Sequence, residues 1–61
     1  MKFRDVRRRL RNEDWTLARK DGSHEIWKRK DGSGRVVLAG HDGDDVPPGT
    51  LNSIRKQVGW K

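Results

Sequence analysis

His24 follows the turn-forming pair Gly22-Ser23 and is one of two histidines in a chain of 61 residues. Imidazole exchanges protons near neutral pH, so histidine is a common general acid or base. The chain also carries 15 lysines and arginines against nine acidic residues, for a formal net charge of +6. A strongly basic protein favours polyanionic partners. Together these features indicate RNA-cleaving chemistry more than passive binding.

The second histidine, His41, lies in a loop rich in glycine and aspartate. It is either the partner of His24 in an acid/base pair or a loop histidine that hydrogen-bonds the backbone or an aspartate. The spacing of Asp42, Asp44 and Asp45 is reminiscent of a cation site, but the later bidentate glutamate of a calcium loop is missing. Tethering of these aspartates to lysine or arginine is favoured, and we expect no metal and no cofactor.

Positive charge is concentrated near the N-terminus, where residues 1–20 contain eight lysines and arginines but only three acidic residues. Arg4, Arg7, Arg8 and Arg11 are therefore candidates for binding RNA phosphates. The alternative is a helix face that is simply solvated.

Length and composition limit the remaining possibilities. The chain is predicted to be one domain, residues 1–61, and a domain of this size buries only about 60% of its unfolded surface. Without cysteine it forms no disulfide and no thiolate zinc site. No apolar run is long enough for a membrane span or a signal peptide. We therefore expect a cytoplasmic protein with no membrane association.

Hydrophobic spacing predicts two amphipathic helices. The pattern i, i+3, i+7 occurs at Phe3, Val6 and Leu10, and again at Leu51, Ile54 and Val58. The first helix is expected over residues 2–12. The second begins either at Pro47-Pro48 or with Thr50 as its N-cap, and it ends at Gly59.

Three strands are predicted between the helices, over residues 15–20, 24–29 and 35–39. Turn signals at Asp21-Gly22 and at residues 31–34 separate them. The resulting order, αβββα, predicts an α+β fold: a three-stranded antiparallel meander with both helices on one face. This is the topology of the double-stranded-RNA-binding domain.

Strand alternation assigns the two faces of the second strand. Trp27 has a large apolar side chain and is expected to face the helices, in a core with Phe3, Leu17, Leu51 and Ile54. His24 then lies on the open face beside Lys28, whose ammonium group would neutralise charge on a phosphate. The alternative is an ordinary surface histidine. The three tryptophans are expected in the core or near the termini rather than as platforms for base stacking, and Trp60, which follows the second helix, is the best candidate for exposure.

Several short motifs, in this order and spacing, resemble the HicA family of toxins, and the resemblance extends from the first helix to Gly59. They are Gly22-Ser23-His24, the aromatic Trp27, Asp31-Gly32, His41, and the segments 48–51 and 54–59. Members of that family are small mRNA-cleaving proteins of toxin–antitoxin pairs, with a double-stranded-RNA-binding-like fold.

The resemblance implies a ribonuclease whose essential histidine corresponds to His24, with Gly22 and Ser23 as its supporting turn. His41 corresponds to a second histidine that is common in the family. The implied partner is a HicB antitoxin, which binds and inhibits the toxin. The chain departs from the family pattern at Asp14, where a glycine is usual, and at Ala39-Gly40, which replaces a segment that typically contains proline.

The hypothesis is therefore a toxin of a type II system, a metal-independent endoribonuclease that cleaves mRNA with His24 as its acid/base. Two alternatives keep the same sequence features. One is a non-catalytic RNA-binding module of the same fold. The other is a protein-interaction domain that needs complementary charge but no RNA.

Overall fold

The computed structural model describes residues 1–60 and has the predicted order αβββα. The elements are α1 (Phe3–Asn12), β1 (Trp15–Asp21), β2 (His24–Arg29), β3 (Arg35–Ala39) and α2 (Pro48–Val58). The predicted helix and strand bounds are confirmed to within about one residue. None of the helices in this part of the chain is long and apolar enough to cross a membrane.

The sheet is an antiparallel meander in the order β1-β2-β3, so β2 is the central strand. Gly22 and Ser23 form a two-residue loop between Asp21 and His24, which are opposite each other in the register. Gly22 has φ of +60°, as the first central residue of a type II′ turn requires. A bulge between Leu17 and Arg19 interrupts the pairing of β1 with β2. The tight loop fixes His24 as the first residue of the central strand.

Both helices pack on one face of the sheet, as predicted. The core comprises Phe3, Val6 and Leu10 of α1, Trp15, Trp27, Val36 and Leu38 of the sheet, Ile54 and Val58 of α2, and Val46 and Trp60 outside these elements; Leu51 packs against it. The opposite face is more open, because His24 and Lys28 are exposed and Ile26 is only half-buried. The fold is therefore the α+β double-stranded-RNA-binding type, with His24 on the uncovered face.

Two predictions about side-chain burial are wrong. Leu17 lies opposite Trp27 but is 46% exposed, because only the first residue of the edge strand β1 is covered. Trp60 is only 8% exposed. Its indole Nε1–H donates to Glu13 Oε1 at 2.8 Å, and the Arg9 guanidinium stacks 4.2 Å from its ring. Trp60 therefore closes the core and offers no free face to a base.

The helix ends follow from local chemistry. α2 begins with Pro48 after the N-cap residue Pro47, so the alternative start with Thr50 as N-cap is wrong. Gly59 ends α2 in the left-handed conformation, with φ of +80°, as predicted. Asp14, between α1 and β1, also has a left-handed φ of +66°. This conformation favours glycine, which is the residue that the resemblance leads one to expect at this position.

Candidate active site

The two histidines lie at the same end of the sheet. His24, the first residue of β2, is opposite Ala39, the last residue of β3. His41 follows Ala39 by two residues, so the two Cα atoms are at most about 7 Å apart. Both histidines are exposed. The register therefore places the backbones of both candidate acid/base residues at the same exposed end of the sheet.

Lys28 shares the open face with His24 but is not beside it, so that prediction is wrong. Lys28 is four positions after His24 in the extended strand, a distance of about 13 Å along β2. The cross-strand neighbours of Lys28 are Thr16 and Arg35, whereas those of His24 are Asp21 and Ala39. Lys28 and Arg35 thus place positive charge at the opposite end of the open face.

Arg7 is the one buried charged residue between residues 1 and 60, with 7% of its surface exposed. Its Nε donates to Glu25 Oε1 at 2.9 Å, its Nη1 to Asp42 Oδ1 at 2.6 Å, and its Nη2 to the Gly40 carbonyl oxygen at 2.6 Å. The indole of Trp27 donates to the same Glu25 oxygen at 3.1 Å. Arg7 therefore joins α1 to β2 and to the loop that contains His41, and it is not free to bind a phosphate.

Burial and hydrogen bonding oppose each other in this cluster. Burial by itself would raise the pKa of Glu25, but hydrogen bonds from Arg7 and Trp27 outweigh it, and the net pKa lies below the usual value. Burial likewise acts to lower the pKa of Arg7, whereas the hydrogen bonds to Glu25 and Asp42 raise it overall. The pair is charged in the folded protein at neutral pH, as a buried ion pair must be to hold together.

The loop after β3 is fastened to the start of α1 through backbone contacts. The Phe3 amide donates to the Asp44 carbonyl at 3.0 Å, and the Arg4 amide donates to the Asp42 carbonyl at 3.3 Å. Gly40 lies against the Phe3 ring so closely that an added Cβ would overlap it, with the ring Cζ only 2.6 Å away. The backbone on both sides of His41 is therefore held by α1.

The loop aspartates serve this attachment. The tethering predicted for them is confirmed for Asp42, which pairs with Arg7, and for Asp45, which lies 3.5 Å from Lys2 Nζ. Among residues 1–60, no group of three or more histidine and acidic side chains is arranged to hold a metal ion.

A groove of about 390 Å³ is bordered by α1 and by the loop after β3. It is lined by Arg4, Arg7, Arg8, Arg11, Asn12 and Asp42. Arg4, Arg8 and Arg11 are exposed and take part in none of the ion pairs within residues 1–60. The Arg11 guanidinium lies over the Trp27 ring, 5.2 Å from its centre. The groove thus carries three exposed cations, and its lining includes Asp42, the residue that follows His41.

The buried cluster around Arg7 was not predicted from the sequence. In the sequence, Arg7 does not differ from its neighbours in a run of arginines. One signal was present. Strand alternation placed Glu25 on the helix-facing side with Trp27, and a carboxylate on a buried face requires a cation or several hydrogen bonds. An arginine on the inner side of α1 was the nearest source.

The sheet topology and the one-sided helices define a small domain with a double-stranded-RNA-binding-like fold. The family model described as "HicA toxin of bacterial toxin-antitoxin" matches residues 3–60. The chain therefore belongs to the HicA family, the toxins of bacterial toxin–antitoxin systems. No curated protein and no solved structure matches it.

Proposed function

We propose that this toxin is a metal-independent endoribonuclease that cleaves mRNA and so inhibits translation and growth. One observation supports this most strongly. The register of β2 with β3 places His24 and His41 at the same exposed end of the sheet. Two imidazoles at one site supply both a base and an acid, which phosphodiester cleavage by a ribose hydroxyl requires.

In the proposed mechanism, His24 removes the proton from a ribose 2′-hydroxyl. The 2′-oxygen attacks the adjacent phosphorus in line and forms a new P–O bond. The bond from phosphorus to the 5′-oxygen breaks, and His41 supplies the proton to that leaving oxygen. The products are a 2′,3′-cyclic phosphate and a 5′-hydroxyl, and the two histidines exchange protonation states during the reaction. Water returns them to their starting states.

Substrate binding is assigned to the groove along α1, where Arg4, Arg8 and Arg11 meet the phosphates of a single strand. These contacts release counterions, so affinity should fall as salt rises. Lys28 is about 13 Å along the strand from His24, so in this proposal it contacts a phosphate further along the RNA and does not act at the reacting one. Arg7 is omitted from this set because its guanidinium is occupied within the fold.

The partner proposed for this cytoplasmic toxin is a HicB-type antitoxin protein. Family membership implies an antitoxin of some kind, and the exposed arginines of α1 would suit an acidic surface on it. An inhibitor bound there would also cover the proposed RNA groove. The second candidate function is a non-catalytic RNA-binding module, which the same groove supports but which needs neither histidine.

Expression in a bacterium separates these functions. The wild type, His24→Ala and the control Lys56→Ala, an exposed residue of α2, are induced at equal protein level while growth and mRNA integrity are followed. We expect wild type and Lys56→Ala to stop growth and degrade mRNA, and His24→Ala to do neither. Equal toxicity of His24→Ala would eliminate the catalytic assignment and favour the binding module.

A further inference from the structure

Arg7 differs from the other arginines of α1 in what it contacts. Its three hydrogen bonds connect segments that both carry a histidine. Glu25 directly follows His24 on β2. Gly40 and Asp42 directly precede and follow His41 in the loop. One guanidinium is thus bonded to the residue beside one histidine and to both residues beside the other.

We infer that Arg7 is a positioning residue, which sets the placement of His41 relative to His24 for the cleavage reaction. The inference rests on the proposed ribonuclease function. The hydrogen bonds of Arg7 all go to residues beside the histidines and none goes to an imidazole. It acts through the backbone at Gly40, through the Asp42 carboxylate and through Glu25.

The chemistry of the guanidinium explains why arginine suits this position. Its donors lie in one plane and in a fixed fork, so binding to Glu25 through Nε also fixes the directions of Nη1 and Nη2. Glu25 is itself oriented by Trp27, a fully buried residue of the central strand. Through these hydrogen bonds, the loop is held in a fixed position relative to the rigid centre of the sheet. Lysine keeps the charge but offers a single ammonium on a flexible stem.

The histidine loop has no regular structure of its own that would fix it as firmly. Residues 40–47 belong to neither a helix nor a strand of the sheet, and His41 and its neighbours Asp42 to Asp45 are exposed. Backbone hydrogen bonds from Phe3 and Arg4 hold the loop against α1, and the fork of Arg7 also ties it to Glu25 of the central strand. Losing the fork should free His41 from its placement without removing the loop.

The test compares Arg7→Lys with Arg9→Lys on the same helix. Arg9 also makes a carboxylate contact, to Glu13 at 2.7 Å, and a stacking contact with Trp60, but it touches neither histidine segment. Both variants and the wild type are assayed for cleavage of a labelled single-stranded RNA, at a temperature where circular dichroism shows each to be folded. Moving a catalytic group by about 1 Å from its productive position can lower the reaction rate roughly 100-fold.

For Arg7→Lys we expect kcat to fall about 10- to 100-fold, with KM within about twofold of the wild type, because only the placement of the acid/base pair changes. Arg9→Lys should keep both constants near the wild-type values. If the two variants have the same kcat, the positioning role is refuted. A loss that appears in KM alone refutes it as well.

Nuclear magnetic resonance provides a readout that does not depend on catalysis. In Arg7→Lys, the backbone amides of residues 40–42 and the His41 imidazole signals should shift and broaden, whereas in Arg9→Lys they should stay unchanged. A wild type that cleaves no RNA would overturn the proposed function, and the positioning of His41 would then be judged from these spectra. Unchanged signals at residues 40–42 in Arg7→Lys would overturn the positioning itself.

Discussion

Replacing Glu25 with glutamine should destabilise the protein strongly, because it leaves the Arg7 guanidinium buried with one fewer counter-charge. The side chains of Arg7 and Glu25 are only 9% and 13% exposed, and Arg7 Nε lies 2.9 Å from Glu25 Oε1. Glutamine keeps the shape of glutamate and an oxygen that accepts hydrogen bonds from Arg7 and Trp27. What it loses is the charge, and charge-assisted hydrogen bonds are roughly twice as strong as neutral ones.

The size of the effect follows from the remaining partners. Removing one member of a buried ion pair typically costs about 3–5 kcal/mol. Arg7 retains Asp42 and the Gly40 carbonyl in the variant, so we expect a smaller loss of about 2–3 kcal/mol in the free energy of unfolding. For a domain of about 60 residues this corresponds to a fall in Tm of roughly 10–20 °C. The expected loss is a large share of the total free energy of unfolding, which is roughly 3–9 kcal/mol for a chain of this length.

The Arg7–Glu25 ion pair also makes the stability difference between the wild type and Glu25→Gln depend on pH. The pKa of Glu25 is lower in the folded protein than in the unfolded chain. Its stabilising contribution is therefore complete above the unfolded pKa, about 4.3, and is lost as the pH falls through the lower folded value. The gap between wild type and Glu25→Gln should be full at pH 7 and should close as the medium is acidified below about pH 4.

Urea unfolding of both proteins from pH 7 to pH 3 measures this gap. The control is Glu13→Gln at a side chain that is 41% exposed; glutamine can still accept the hydrogen bonds of Arg9 and of the Trp60 indole, so the change should cost at most about 1 kcal/mol. A gap below about 1 kcal/mol at pH 7 for Glu25→Gln would refute the idea that Arg7 depends on this carboxylate. A gap that persists unchanged at pH 3 would refute its electrostatic origin.

Three further outcomes are expected. Gly40→Ala should lower the stability measured in a thermal melt by about 1–3 kcal/mol, because the added methyl group would overlap the buried Phe3 ring. The control is Gly49→Ala, at a helical position with open space around it, which should raise the stability by roughly 0.5–1 kcal/mol. Equal effects of the two substitutions would contradict the packing argument. Asp14→Gly should raise stability by up to about 1 kcal/mol in urea unfolding, because Asp14 holds a left-handed conformation, and a loss would show that the aspartate is preferred there. Arg8→Gln should reduce the slope of log affinity against log salt for a single-stranded RNA by about 0.7, measured by fluorescence anisotropy, and no change in slope would remove Arg8 from the RNA surface.

Regular elements were predictable because their signals are local. The apolar spacing of α1 and α2, the Asp21-Gly22 turn signal and the left-handed stop at Gly59 each act within a few residues. Alternation along β2 was enough to place Trp27 inside and His24 outside, since one large apolar side chain decides the face of a strand. The shared end of the two histidines follows from the meander once the strand bounds are known.

Features that depend on distant partners were not predictable in the same way. Trp60 is buried because Arg9 and Glu13 of the first helix region reach its ring and its indole nitrogen, across most of the sequence. Arg7 differs from Arg8 only by which side of α1 it occupies, and its acceptors lie 18 to 35 positions away. Leu17 has the composition of a core residue, but it lies on an edge strand beyond the part that the helices cover.

Identification of the cleavage ends tests the central claim most directly. The purified toxin is incubated with a single-stranded RNA, and the termini of the fragments are determined by mass spectrometry, with His24→Ala as the blank. A reaction through the 2′-hydroxyl, with His24 and His41 as base and acid, predicts 2′,3′-cyclic phosphate and 5′-hydroxyl ends that are absent from the blank. Fragments that carry 3′-hydroxyl and 5′-phosphate ends would contradict this mechanism and indicate direct attack by water.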